Sequence, residues 1–262
     1  MKNGKKPLPD KLKEWLNSQG YPLEMAVASE FQKSDFIVSL SDFYKDPETG
    51  TSREIDVTAL KWSATDIKTP LQVCWRIECK LAHKHPWVVF VSSAQPELPL
   101  PLVIFASPVY RSKLVEAMKK EDFQERLRNL KLFRRYVGYG ITEAFTTGQD
   151  VPYKAIMSAA KASLDRVTGI DNIELEPRLP EKPKYVCVSF PIVVIEGQLF
   201  ECFSDENGIL SPIEVQSSVL FWKGTSPGNS STLVYVVTKD ELPEFVEKVN
   251  ETTDFLIDAV KS

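Results

Sequence analysis

The chain has 262 residues, of which 43% are hydrophobic and 26% are charged, and its formal net charge is −4. This length and composition predict an ordinary soluble globular protein with a substantial core. No apolar run reaches membrane-spanning length, and the N-terminus lacks the apolar segment of a secretory signal, so we expect a cytoplasmic protein with no membrane partner. The four cysteines show no CxxC spacing and indicate neither a disulfide framework nor a zinc site.

The first part of the chain passes from helical to strand-like patterns. Leu12, Trp15 and Leu16 recur at helical spacing, and Gly20 to Pro22 interrupts that pattern before a second apolar helix. The run Asp46-Pro47-Glu48-Thr49-Gly50 consists of turn-forming residues between two β-rich segments, which predicts a hairpin. The predicted elements are helices at residues 9–19 and 21–33 and strands at residues 36–44, 52–62 and 71–80.

The rest of the chain continues a mixed α/β order, which we assign to a single domain spanning residues 1–262. The proline-rich stretch 96–101 cannot lie in a central strand, and the stretch 174–184, rich in proline and charge, is interpreted as a loop. Pro152 and the alanine-rich sequence behind it favour the start of a long helix. The predicted elements are extended segments at 87–91 and 102–107, helices at 112–135, 153–166 and 240–260, and strands at 185–196, 199–203, 213–222 and 232–237.

Charge is distributed unevenly along the chain. Residues 111–135 contain nine basic and four acidic side chains, a net charge of +5, whereas residues 239–261 contain three basic and seven acidic ones, a net charge of −4. This asymmetry suits a protein with one anion-facing side, and it equally suits helices whose charged faces are simply solvated. A nucleic-acid partner must therefore be argued from chemistry as well as from charge.

Two predicted strands carry charged residues inside otherwise apolar sequence. Strand alternation places Asp56 on one face of its strand together with Glu54 and Thr58, and it places Glu78 and Lys80 on one face of the next strand. If these strands pair antiparallel through the turn near residues 66–70, Asp56 and Glu78 face each other across the ladder. The two carboxylates would then be close enough to share a divalent ion.

This grouping is chemically coherent. Carboxylate oxygens from Asp56 and Glu78, with the backbone carbonyl of Cys79 as a third donor, are ligands that suit Mg²⁺ or Mn²⁺. Such an ion lowers the pKa of bound water and stabilises negative charge on a phosphate. Lys80 could orient that water or neutralise the developing charge.

A structural interpretation of the same residues stays open. On a sheet with one solvent-exposed face, Asp56, Glu78 and Lys80 would merely pair with one another, and a short D…ExK pattern is frequent by chance. The sequence context favours the catalytic interpretation, because residues 71–91 are mostly apolar and strand-forming. Charged groups inside such a segment need a reason to be there.

With these residues in place, the chain resembles the PD-(D/E)xK, or restriction-endonuclease-like, nuclease superfamily. By that likeness Asp56 corresponds to the motif aspartate, Glu78 to its acidic residue, Lys80 to its lysine, and Glu30 to the acidic residue often found on the first helix. Ile55 stands where the motif has proline. The segments that match the αβββαβ core of the superfamily are the helix 21–33, the strands 36–44, 52–62 and 71–80, the helix 153–166 and the strand at 191–194.

The resemblance implies an α/β fold with a mixed central sheet flanked by helices, an insertion at about 82–150 and a C-terminal strand and helix extension. It also implies a Mg²⁺- or Mn²⁺-dependent endonuclease, a phosphodiesterase acting on nucleic acid, most naturally DNA, of the kind used in bacterial defence or repair. A homodimer is compatible with this interpretation. The alternatives are a catalytically inactive binding module with the same fold and an effector-interaction protein that uses the basic segment 111–135.

Overall fold

The computed structural model describes residues 6–63, 70–92, 104–132, 137–147, 150–171, 185–205, 207–224 and 231–259. The described helices are α1 (Leu8–Leu16), α2 (Tyr21–Lys33), α3 (Pro108–Ala117), α4 (Glu121–Asn129), α5 (Val151–Asp171) and α6 (Leu242–Asp258), the last preceded by a 3-10 turn, Lys239–Glu241. The described strands are β1 (Ile37–Lys45), β2 (Ser52–Trp62), β3 (Leu71–Val91), β4 (Phe105–Ala106), β5 (Gly138–Glu143), β6 (Val186–Ser204), β7 (Leu210–Val215), β8 (Ser217–Lys223) and β9 (Ser231–Thr238).

These strands form one mixed sheet with helices on both faces, which confirms the predicted α/β class. The strand order is β1-β2-β3-β5-β8-β9-β6-β4, with β7 paired to β6. β1, β2 and β3 pair antiparallel, whereas β3 also pairs in parallel with β6 along most of its length. Because β3 contacts both β5 and β6, the pairings of β3, β5, β8, β9 and β6 form a closed ring.

The core lies on both faces of this sheet. On one face, Leu23 and Phe31 of α2 and Val249 and Phe255 of α6 join a large cluster that also includes residues of α3 and α4. On the other face, α5 packs through small side chains such as Ala159 against a second cluster drawn from β3, β6, β8 and β9. Alanine at these positions lets the helix backbone approach the sheet closely, which places α5 directly over the paired strands β3 and β6.

Several predicted boundaries were wrong. The segments predicted at 71–80 and 87–91 form a single strand, β3, with an irregularity in its pairing between Ala82 and Trp87. Strands predicted at 185–196 and 199–203 likewise form the single strand β6, whereas the strand predicted at 213–222 is two strands, β7 and β8. The predicted loop 174–184 lies outside the described residues.

The segment 82–150, predicted as an insertion, contributes to the central sheet. β5 lies inside it, pairs antiparallel with β3 and reaches β8 through Gly138, although no strand was predicted there. The helix predicted at 112–135 is two shorter helices, α3 and α4. They are separated by a turn in which the backbone N–H groups of Lys119 and Lys120 donate to carbonyls at the end of α3.

The two oppositely charged segments lie against each other. Arg126 of α4 is 3.6 Å from a carboxylate oxygen of Asp258, and its guanidinium lies over the ring of Phe255 on α6. The predicted surplus of positive charge at 111–135 is therefore partly neutralised by the acidic C-terminal helix, which weakens the case for a phosphate-binding face there. Within the described parts of the chain, no helix combines the length and apolar character needed to cross a membrane.

Candidate active site

The candidate site lies where β2 separates from β3. The antiparallel pairing of these strands was predicted and is confirmed, but its last recorded pair is Val57 with Ile77. The next position along the same register sets Asp56 opposite Glu78. On this edge β3 gains its next strand partner only at Trp87, which pairs with β5. Among the described residues, the edge of β3 between Glu78 and Trp87 therefore faces an opening in the sheet.

The ladder between β1 and β2 is distorted beside this separation. The β1–β2 ladder omits the pair Ser41 with Asp56, and Ser41 has a left-handed backbone with a φ of 51°. Side-chain alternation breaks at the same place, because Val57 belongs to the cluster on the α2 face whereas Ile55 clusters with Ala162 of α5. The predicted simple alternation around Asp56 was wrong, because Ile55 and Val57, two residues apart on β2, enter different core clusters. Strained backbone such as the left-handed Ser41 concentrates at functional sites.

An ion pair between a buried arginine and a partly exposed aspartate holds the distorted strands together beside the opening. Arg76 of β3 is 2% exposed and donates to Asp42 of β1 at 2.5 Å and to the Thr58 hydroxyl of β2 at 2.8 Å. Burial acts to raise the pKa of Asp42, but the charge and hydrogen bond of Arg76 outweigh it, so the pKa is lowered. Charge-assisted hydrogen bonds from Arg76 thus connect the three strands, two residues along β3 from Glu78.

Asp56 points along the sheet into the opening. Its Oδ2 atom accepts the backbone N–H of Cys79 at 2.6 Å. In a β-strand the N–H and C=O of one residue project to the same side, so the carbonyl of Cys79 also faces the opening. The Cys79 side chain itself belongs to the core cluster, where burial keeps the pKa of its thiol well above the usual range. Cys79 can therefore offer a metal its carbonyl oxygen but not a thiolate.

Glu78 and Lys80 face the same opening. The Lys80 ammonium donates to Oε1 of Glu78 at 2.6 Å and lies 4.0 Å from Oδ2 of Asp56. The second oxygen of Glu78, Oε2, accepts the hydroxyl of Ser158 on α5 at 3.0 Å, and the Tyr44 hydroxyl lies 3.3 Å from Ser158 Oγ. The structure thus brings together Asp56, Glu78 and Lys80, and it adds Ser158 as a group that orients Glu78.

Electrostatics make this a site that favours a cation. Burial raises the pKa of Asp56 despite the bond from Cys79, and burial raises the pKa of Glu78, to which the charge of Asp56 adds. Burial alone would lower the pKa of Lys80, but attraction to Glu78 outweighs it and raises that pKa. One lysine therefore only partly compensates two desolvated carboxylates, which leaves negative charge in the opening.

Glu24, which the sequence interpretation passed over, belongs to the same electrostatic group. Burial raises the pKa of Glu24, and the charges that contribute most are those of Asp56 and Glu54. Glu30, assigned to the site from the family likeness, pairs with Lys33 at 2.7 Å, and its side chain is 20% exposed. Six residues of an α-helix place the Glu24 and Glu30 side chains about 120° apart around the helix axis, so they lie on different sides of α2.

We expect Glu24→Gln to weaken divalent-ion binding by about threefold to tenfold and to leave folding intact, because it removes a negative charge near the opening and a carboxyl whose pKa burial raises. Glu30→Gln is the matched control on the same helix and should bind the ion like the wild type. Calorimetric titration with Mn²⁺ compares them. A larger loss in Glu30→Gln than in Glu24→Gln would contradict this placement.

The donor set fits a hard divalent ion. Mg²⁺ is commonly held by one or two carboxylates, with water and substrate phosphate completing its shell, and Asp56, Glu78 and the Cys79 carbonyl supply protein oxygens of that kind. Within the described residues, no group of three or more His, Cys, Asp or Glu side chains is placed to hold an ion. The third side chain at this site is Lys80, which is a charge donor rather than a ligand.

Among the described residues, two of the larger cavities lie outside this opening. One, of about 390 Å³, is lined by polar and charged residues including His83, Glu196 and Lys239. The other, of about 370 Å³, lies between β5, β8 and α5.

The sequence matches no protein-family model, and no curated protein or solved structure is detectably similar to it. The candidate site therefore depends on its own geometry and chemistry.

Proposed function

We propose that this protein is a metal-dependent nuclease that hydrolyses phosphodiester bonds, most naturally in DNA. The observation that carries the proposal is the grouping of Asp56, Glu78 and Lys80 at an opening in the sheet, with Lys80 bonded to Glu78 and within 4.0 Å of Asp56. The order α2, β1, β2, β3, α5, β6 supports it, because it follows the αβββαβ order of the PD-(D/E)xK superfamily.

Each residue has a defined task in this proposal. Asp56 and Glu78, with the Cys79 carbonyl, would hold Mg²⁺ or Mn²⁺, which when bound lowers the pKa of a water and stabilises charge on the phosphate. Ser158 fixes the orientation of Glu78 through the hydrogen bond to Oε2. Fixed ligand orientation matters because a misplacement of about 1 Å can lower a rate by two orders of magnitude.

Lys80 supplies positive charge at the reacting phosphate. Its ammonium has three N–H donors, so it can keep one bond to Glu78 while another reaches the attacking water or a phosphate oxygen. The raised pKa of Lys80 keeps the ammonium charged at neutral pH. It therefore acts by electrostatic stabilisation and by positioning the water, not by accepting a proton.

A second candidate is a catalytically inactive module with the same site. The short Lys80–Glu78 pair favours it, because an ammonium bonded to one carboxylate and near another is also what a purely structural ion pair would contain. Effector interaction, a homodimer and a cytoplasmic setting stay predictions from the sequence.

A cleavage assay tests the proposal. Supercoiled plasmid, linear duplex and single-stranded DNA are incubated with the protein in Mg²⁺, in Mn²⁺ and in EDTA, and Asp56→Asn serves as the control for contaminating nuclease. We expect cleavage with either ion, none in EDTA, and a loss of at least about a hundredfold in Asp56→Asn. Equal activity of Asp56→Asn and the wild type, or none in any condition, would favour the inactive module.

A further inference from the structure

The cavity between β5, β8 and α5 has the composition of a stacking site. It measures about 370 Å³, and the rings of Tyr139, Tyr153 and Trp222 line it together with the ammonium-bearing side chain of Lys223. Tyr139 and Tyr153 are 61% and 50% exposed, so their rings are available to a ligand. Pockets of this size and mixed aromatic character bind small planar molecules.

The cavity is formed by the way β5 and β8 meet. These strands pair only at Gly138 with Leu220 and then diverge, and the cavity opens beyond that point. Gly138 permits the single close approach, because a Cβ there would lie 3.3 Å from the backbone carbonyl oxygen of Val219 on β8, and 2.4 Å from a methyl carbon of Val89 on β3. The cavity is thus built into the sheet and does not depend on the arrangement of a surface loop.

One wall of the cavity is rigid. Trp222 is 7% exposed, its indole N–H donates to the Met157 sulfur of α5 at 3.0 Å, and its ring packs edge-on against Phe105. Tyr139 lies at a tilt to Phe90 with ring centroids 6.3 Å apart. A planar ligand would therefore meet aromatic rings already held by the fold, which reduces the entropy lost on binding.

Lys223 supplies a charge at the rim. Its side chain is exposed, and its ammonium lies 5.5 Å from the ring centroid of Phe221. Within the described residues it has no carboxylate within ion-pair distance, so it can meet an external anion. Aromatic rings beside a cation match a nucleotide, in which a base stacks and the adjoining phosphate carries the negative charge.

α5 connects the cavity to the candidate active site. Tyr153 and Ile156 line the cavity, and Ser158 on the same helix bonds Glu78. Five residues of helix correspond to a rise of about 7.5 Å between Tyr153 and Ser158.

We propose that this cavity binds an unpaired nucleobase of the nucleic-acid substrate. Tyr139 and Tyr153 stack on the base, and Lys223 contacts a flanking phosphate. The inference rests on the proposed function.

The test measures binding without cleavage. Fluorescence anisotropy of a labelled single-stranded 12-mer is followed in EDTA for the wild type, Tyr139→Ala, Tyr153→Ala and Tyr153→Phe. Base stacking on an aromatic ring predicts a loss of about tenfold in affinity for each alanine variant, with affinity largely retained in Tyr153→Phe, which keeps the ring. Tyr21→Ala, an equally exposed tyrosine on α2, is the control and should bind like the wild type.

An abasic 12-mer separates stacking from general affinity. Tyr153→Ala should bind the abasic strand as the wild type does. Lys223→Gln should reduce the slope of log affinity against log salt concentration by about 1, the amount expected for the loss of one phosphate contact. The inference is overturned if the tyrosine variants match the wild type on the intact strand, if they lose equal affinity for the abasic strand, or if the wild type binds neither. If the tyrosine variants bind the strand more weakly but the wild type shows no Mg²⁺-dependent cleavage, the base site is supported and the nuclease proposal is refuted. If the wild type cleaves but the tyrosine variants bind as it does, the nuclease proposal is supported and the base site is refuted.

Discussion

Replacing Lys80 with alanine is expected to lower phosphodiester cleavage by at least about a hundredfold while the protein still folds and still binds Mn²⁺. The loss follows because Lys80 is the cation bonded to Glu78 and facing Asp56, and removal of one preorganised electrostatic donor from an active site costs that much or more. Ion binding persists because lysine is not a ligand to a divalent ion. Cleavage rates measured at saturating Mg²⁺ provide the comparison.

Lys84→Ala is the matched control, since Lys84 is an exposed lysine four residues further along β3. It should cleave at the wild-type rate. The side chain of Lys80 is 31% exposed, so its removal should change the free energy of unfolding by no more than about 1 kcal/mol in the presence of the ion. Unfolding of Lys80→Ala would instead identify Lys80 as a structural partner of the carboxylates, and normal cleavage would refute its catalytic role.

Replacing Glu78 with glutamine is expected to raise the stability of the metal-free protein at alkaline pH and to abolish its stabilisation by Mn²⁺. Burial raises the pKa of Glu78 in the folded state, so the ionised carboxylate costs folding free energy above that pKa. The cost disappears as pH falls through the raised pKa and is absent once both folded and unfolded forms are protonated. The stability difference between Glu78→Gln and the wild type should therefore be larger at pH 8 than at pH 4.5.

Thermal unfolding across that pH range, with and without Mn²⁺, measures both effects. The ion should raise the wild-type Tm with the logarithm of its concentration once that exceeds the Kd, whereas Glu78→Gln should show little or no rise. Asp56→Asn should behave in the same way, because burial also raises the pKa of Asp56. Glu116→Gln on α3, where the carboxylate is exposed, is the control. A Glu78→Gln protein that Mn²⁺ stabilises as much as it does the wild type would place the ion elsewhere.

The antiparallel pairing of β2 with β3 was accessible from sequence because it depends on local rules. Two apolar strands that follow each other closely in sequence commonly pair antiparallel, and the register at Val57 and Ile77, continued by one position, sets Asp56 opposite Glu78. The central helix α5 was likewise predictable from Pro152 and its alanine-rich sequence. These elements position most of the candidate site.

Other features depend on contacts distant in sequence. The left-handed conformation of Ser41 has no signal in a serine flanked by strand-forming residues, yet it coincides with the missing ladder pair between Ser41 and Asp56. β5 contains Gly138 and Gly140, which weaken any strand prediction, and it is stabilised by pairing with β3. The contribution of Glu24 required knowing which side of α2 faces the sheet, and the assignment of Glu30 stays a prediction.

The long parallel pairing of β3 with β6 joins the candidate site to a part of the chain that is synthesised much later. Glu78, Cys79 and Lys80 pair with Val193, Val194 and Ile195, more than a hundred residues later in the chain. Closing so large a loop is entropically costly before its contacts form, and pairings of this kind fold slowly. A ribosome-bound chain therefore carries the hairpin of β1 and β2 and the charged end of β3 without the strand that supports them. The carboxylates and the lysine should take up their folded geometry only after β6 has emerged, so under the proposed function cleavage would begin only when synthesis of the sheet is nearly complete.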